Sequence, residues 1–281
     1  MKIVRPTLAA ALILALGSNA HASVVLAEKV LRVAYNEDVA TFDPDGAIIL
    51  FGLDVSRVLY EGLVQYKPGT TQIVGWLAPS WSISPDGRTY RFTLRDGVVF
   101  HDGQAMTAAD VLVYFRRRQT PSLPLSYFLD GVESMSAPDS HTFVITLKAP
   151  QPAFLDRLAS AWAPKVIGPE ALVDHAGGDL GVGWLNEHAD GTGPFKLLEF
   201  ARGQRYVLVR NTNYWGPKPY FDKIEILIVP STNQQMLMLE RGEIDIVEHG
   251  YPFDQLGKLP PGLKVDAHDG LGLEMAYFNQ T

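Results

Sequence analysis

Residues 89–118 read TYRFTLRDGVVFHDGQAMTAADVLVYFRRR, and the order of polar and apolar side chains in this stretch decides the fold class. Tyr90, Phe92 and Leu94 alternate with Arg91 and Thr93, the period of two that gives a strand one buried face. Thr107-Ala108-Ala109-Asp110 then sets a hydroxyl and a carboxylate three residues apart, just ahead of Val111, Leu112, Tyr114 and Phe115. A helix capped at its start is predicted there. Arg116, Arg117 and Arg118 close it, where cations suit the negative end of the helix dipole. Solvated helix-end side chains are expected, rather than a basic binding patch.

Working outward, residues 76–83 form the other arm of a hairpin, joined through the turn Ser84-Pro85-Asp86-Gly87-Arg88. Further upstream, Leu31-Arg32-Val33-Ala34-Tyr35 reads as a buried strand. It runs into Asp43-Pro44-Asp45-Gly46, where proline fixes φ and glycine allows a positive one. Residues 54–63 place Val55, Val58, Leu59 and Leu63 near one helical face, with Gly62 as the stop. Downstream, residues 142–147 read as a strand and 152–161 as a short helix beginning with proline. The Gly/Asp-rich tract 176–183 marks a subdomain boundary. Three strands at 193–200, 205–209 and 224–229 are expected to join the first strand in one sheet. Residues 231–241 then give a helix with Met236, Leu237 and Leu239 inward and Gly242 as its stop, followed by a strand at 244–247. The alternation is that of an α/β protein.

The chain has 281 residues, 47% of them hydrophobic, enough to build one large core or two ordinary ones. A formal charge of −7 disfavours nucleic acid and anionic membrane surfaces as partners. The absence of cysteine excludes disulfides, thiolate metal sites and a thiol nucleophile. At the start, Lys2 and Arg5 precede an apolar run at 7–17 and the small-residue site Ala20-His21-Ala22. That is the pattern of a secretory signal peptide, residues 1–22, and the run is shorter than the ~20 residues of a membrane span. Cleavage before Ser23 and release into the periplasm are expected, with no membrane span afterwards.

No nucleophile elbow, zinc-protease helix, phosphate loop or dinucleotide fingerprint is present. His101-Asp102-Gly103 offers an imidazole beside a carboxylate, but neighbours on a strand point apart, and a turn is expected. His175 and His188 would bind a metal only if folding joined them. Glu243 with Asp245, and Glu187 with Asp190, are the candidate carboxylate pairs of a hydrolase, yet solvation and capping explain such residues equally well. No catalytic residue, metal or cofactor is expected. A secreted carboxylate-dependent hydrolase stays the alternative.

Six blocks carry a resemblance. Leu59-Tyr60-Glu61-Gly62-Leu63, Leu77-Ala78-Pro79-Ser80-Trp81, and the run from Leu94 through Gly103 followed by Thr107-Ala108-Ala109-Asp110-Val111 come first. Gly191-Thr192-Gly193-Pro194-Phe195, Arg210-Asn211 with Asn213-Tyr214-Trp215, and Gly242-Glu243-Ile244-Asp245 follow. In order and spacing they resemble the solute-binding proteins of the peptide/nickel/opine ABC importers. The resemblance implies a periplasmic binding protein-like first lobe, with residues 23–62 and 186–275 as a mixed-sheet core and 63–185 as an inserted α+β subdomain. Residues 276–281 look like the start of a crossover to a second lobe that this sequence does not include. Its absence would impair binding, unless a separately encoded second lobe pairs with the chain. The implied role is noncovalent capture of a short peptide or similar small solute by a monomer, for delivery to an inner-membrane ABC permease. By location alone, Ile48, Leu50, Tyr127 and Gly270 are the expected cleft-wall positions, with core packing the competing role for the tyrosine.

Overall fold

A computed structural model of the protein describes residues 2–4, 28–48, 50–175, 177–247, 259 and 262–266. In chain order its strands are β1 (Lys2–Val4), β2 (Val30–Tyr35), β3 (Val64–Tyr66), β4 (Ile73–Gly75), β5 (Ser80–Ile83), β6 (Thr89–Thr93), β7 (Val132–Asp139), β8 (Thr142–Leu147), β9 (Phe195–Ala201), β10 (Arg205–Arg210), β11 (Lys223–Ile228), β12 (Ile246–Val247) and β13 (Lys264–Asp266). Its α-helices are α1 (Leu50–Leu59), α2 (Ala108–Arg118), α3 (Phe154–Ala159), α4 (Val182–Leu185) and α5 (Thr232–Arg241). No helix among the described residues is long and apolar enough to cross a membrane.

Two large sheets and a two-stranded antiparallel one, β3-β4, organise these elements. The larger runs β13-β1-β12-β2-β11-β10-β9. It is mixed: β2 is parallel to both β11 and β12, whereas β9, β10 and β11 are antiparallel neighbours. The expected joining of the three later strands to the first one is therefore observed. Parallel neighbours require a crossover, and α5 supplies one between β11 and β12. The smaller sheet, β5-β6-β8-β7, is antiparallel throughout. Phe143, Ile145 and Leu147 of β8 and Phe92 of β6 are fully buried on its inner face, and α2 packs against β7 and β8.

Local chemistry explains most boundaries. The Asp110 carboxylate accepts hydrogen bonds from the Thr107 backbone N–H (2.8 Å) and hydroxyl (2.7 Å), so the predicted start of α2 is held by the pair that announced it. The turn at His101-Asp102-Gly103 is present, with the Gly103 N–H donating to the Phe100 carbonyl and Gly103 at φ +97°, a conformation that favours glycine. Gly242 ends α5 at φ +73°.

Four expectations need correction. First, α1 ends at Leu59 rather than at 62–63 because the Leu59 carbonyl is taken by the Gly193 N–H at 3.0 Å, which satisfies a helix-end acceptor from outside the helix. Second, Gly46 is not among the positive-φ residues. Its turn is held instead by the Asp43 carboxylate, which accepts the Asp45 N–H at 2.9 Å. Third, Leu237 faces solvent at 51% exposure. Gln235, one turn before buried Leu239, faces inward and donates to the Val229 carbonyl at 2.7 Å. Fourth, of the three arginines ending α2, only Arg116 is exposed; Arg117 and Arg118 are buried.

Candidate functional site

Arg117 and Arg118 are buried because two carboxylates reach them from the loop after β2. Arg117 binds Asp43 through both terminal nitrogens, at 3.1 and 2.5 Å, and also Asp45. Arg118 pairs with Asp45 as well, and the Tyr114 hydroxyl donates to Asp45 Oδ1 at 2.8 Å. Two cations against two anions leave no net buried charge, the condition for a tolerable buried network. Burial, more than any neighbour, raises the pKa of Asp43, and hydrogen bonding to Arg117 opposes it. Sequence reasoning missed this pairing because the partners lie 72 to 74 residues apart. The available clue was two aspartates in the DPDG turn with no stated partner.

This network carries an exposed apolar face. Arg118 also donates to the backbone carbonyls of Leu125 and Trp162, and its guanidinium lies 5.5 Å from the Phe128 ring centroid. The Tyr127 ring is 4.8 Å from Phe128, tilted by 44°. The Trp162 indole N–H donates to the Ile48 carbonyl at 3.4 Å. Ile48, Tyr127 and Trp162 are thus tied to one scaffold, and they are exposed by 53%, 55% and 37%. Large apolar side chains fixed together in water mark an interaction surface more often than isolated ones do. Two grooves, of about 230 and 390 Å³, open elsewhere. The first is lined by Thr41, Asp43, Leu123 and Leu180 among others, the second by Trp184, His188 and Phe200.

Of the expected wall positions, Ile48 and Tyr127 fall on this face. Leu50 opens α1, but its side chain lies outside the described residues, as does Gly270. Trp162 was not anticipated; a lone tryptophan between two short elements gives no periodicity to read.

Several polar residues weighed in the sequence make packing and hydrogen-bond contacts. His175 and His188 each stack on Trp184, at 5.2 and 4.7 Å. The Asp245 carboxylate accepts the Arg32 N–H at 2.8 Å. His101 accepts from the Gly191 N–H at Nδ1 (3.3 Å) and has Nε2 3.1 Å from the Gly193 carbonyl, which fixes the Nε2–H tautomer. Its burial lowers its pKa to about 4. Glu61 accepts four hydrogen bonds, from the indoles of Trp76 (2.6 Å) and Trp215 (2.8 Å) and the hydroxyls of Tyr214 (2.7 Å) and Thr192 (2.8 Å). A Cβ at Gly191 or Gly193 would collide with the Leu59 backbone. Residues from four of the blocks that carry the family resemblance, Glu61, His101, the Gly191–Gly193 segment and Tyr214-Trp215, thus meet in one knot.

Comparison with known proteins agrees with that geometry. Residues 72–281 match the family described as "Bacterial extracellular solute-binding proteins, family 5 Middle". The chain is 36% identical over 278 residues to the probable D,D-dipeptide-binding periplasmic protein DdpA of Escherichia coli (strain K12), covering 97% of this chain and 53% of that protein. It is 28% identical over 249 residues to the dipeptide-binding protein of the same strain, covering 80% and 45%. Among solved structures, the DppA periplasmic binding protein of Helicobacter pylori in complex with the peptide STSA superposes with a TM-score of 0.73 at 30% identity, covering 82% of this chain and 49% of that one. The chain spans about half the length of the curated relatives it matches.

Proposed function

From its membership of the family 5 bacterial extracellular solute-binding proteins, we propose that this chain forms the first lobe of a periplasmic solute receptor, and that Ile48, Tyr127 and Trp162 form one wall of the solute site. The solute class is a short peptide or a molecule of similar size and polarity. The observation that carries the reading is the exposed aromatic face anchored on the buried Asp43–Asp45–Arg117–Arg118 network. Aromatic side chains held rigid before the ligand arrives lose little entropy on binding and present a broad apolar surface. Capture is noncovalent, and delivery to an ABC permease follows it. Residues 23–62 with 186–275 serve as the core of the lobe and 63–185 as its inserted subdomain. A signal peptide at residues 1–22 directs export, and its removal takes β1 out of the larger sheet, where Lys2–Val4 pairs with β12 and β13.

The reading agrees with the ligands of relatives, a dipeptide for one and the peptide STSA for another. The test is titration of the full chain with dipeptides and tripeptides, followed by tryptophan fluorescence. Saturable binding is expected, weakened tenfold or more by Trp162→Ala, which corresponds to about 1.4 kcal/mol. The melting temperature of that variant should stay close to the parent's, since it removes an exposed ring. Affinity unchanged in Trp162→Ala would overturn the assignment of the wall.

A further inference from the structure

Beside the knot lies a second polar cluster that solute capture does not use. Asp102 lies in the turn after Phe100, Glu170 opens the short π-helix Glu170–Asp174, and Asp190 precedes β9. One carboxylate oxygen from each can be chosen such that all three lie within 4.8 Å of one another. Three acids so close repel, and among the described residues no salt bridge reaches any of them. Asp190 is 0% exposed, and its Oδ2 has no hydrogen-bond partner. A buried carboxylate oxygen left without a donor is costly and uncommon. Its Oδ1 accepts the Asp102 backbone N–H at a long 3.3 Å. The Gly168 backbone packs against that carboxylate, and a Cβ at residue 168 would overlap Asp190 Oδ2.

We propose that Asp102, Glu170 and Asp190 form a binding site for a hard divalent cation, calcium in the first instance. All-oxygen, carboxylate-rich ligand sets suit calcium and magnesium rather than zinc or copper. Calcium accepts oxygen ligands at about 2.3–2.6 Å in flexible geometry, whereas magnesium demands a near-ideal octahedron at about 2.0–2.1 Å, so three carboxylates preset by the fold suit the more tolerant ion. Glu170 is half-buried and Asp102 exposed, which leaves water to complete the shell. Asp102 is already oriented by Gln104, whose backbone N–H and side-chain amide donate to its two oxygens at 2.7 and 2.8 Å. The ion would tie the turn after Phe100, the end of the region between the sheets and the approach to β9 into one unit. Asp102, Glu170 and Asp190 share no motif, so only the fold brings the three together.

The full chain, stripped with EDTA, is melted in calcium chloride, in magnesium chloride, and in sodium chloride of matched ionic strength. A saturable rise of about 3 °C or more is expected with calcium, a smaller one with magnesium and none with sodium. Asp190→Asn and Glu170→Gln should each abolish the calcium-specific rise; the second variant changes a half-exposed side chain and decides the matter if the first does not fold. A calcium effect no larger than that of sodium would overturn the site, as would a full rise retained in Glu170→Gln. A magnesium rise equal to or above the calcium one would overturn the assignment to calcium. None of these outcomes bears on peptide binding, so this inference and the proposed function stand or fall separately.

Discussion

Glu61 shows how a single side chain can decide the stability of this chain. Four donors converge on its buried carboxylate, so Glu61→Ala strands four hydrogen-bonding groups and should cost about 3–5 kcal/mol in chemical denaturation. Glu61→Gln keeps one acceptor oxygen but turns an N–H₂ toward the remaining donors, and should still cost about 2 kcal/mol. The pH dependence has a definite sign. Burial, the largest influence, raises the Glu61 pKa above 4.5 against the opposing hydrogen bonds. The unfolded chain therefore loses this proton first, and as pH climbs from 4.5 through the folded pKa the group's contribution to stability falls. The advantage of the parent over Glu61→Gln should shrink across that climb. A gap that widens with pH would contradict the electrostatics given for Glu61. The buried arginines behave similarly: Arg118→Ala leaves Asp45 short of a partner and should cost about 3–5 kcal/mol, while exposed Arg116→Ala should stay within about 0.5 kcal/mol.

At the scale of elements, the sequence is legible wherever burial follows a local period. Strands β6 and β8 were readable because Tyr90 and Phe92, and Phe143, Ile145 and Leu147, alternate and all point into one core. Strand β7 was not, since an edge position leaves most of Val132–Asp139 exposed and Pro138 argues against a strand. Helix α5 is legible from its apolar residues and its Gly242 stop, yet its inward face differs from the expected one because Gln235, not Leu237, turns into the core and hydrogen-bonds there. A paired test follows: Leu237→Glu should alter stability by no more than about 0.5 kcal/mol, and Leu239→Ala should lower it by about 2–5 kcal/mol. Comparable losses from both substitutions would mean that α5 is rotated from the orientation described. For the candidate site, the proposed wall positions Ile48 and Tyr127 rest on location alone, whereas Trp162 and the ionic scaffold depend on contacts between distant residues that no local pattern encodes.

Across the whole molecule, the knot around Glu61 links Trp76, just ahead of β5 of the smaller sheet, to Tyr214 and Trp215, between β10 and β11 of the larger one. Hydrogen exchange in β6 and β8 should therefore accelerate together with that in β9 and β10 when Glu61 is replaced; acceleration confined to one sheet would show that the sheets open independently. The Asp43–Asp45–Arg117–Arg118 network makes a second link, from the loop after β2 to α2, and it holds the apolar face of Ile48, Tyr127 and Trp162 toward solvent. That this face takes the solute is the central claim. It is tested most directly by photo-crosslinking the full chain with a dipeptide that carries a diazirine side chain, then mapping the adducts by mass spectrometry. The account predicts adducts at Ile48, Tyr127 and Trp162 that excess unlabelled dipeptide suppresses. Competable adducts confined to the groove lined by Trp184, His188 and Phe200, with none on the aromatic face, would contradict it.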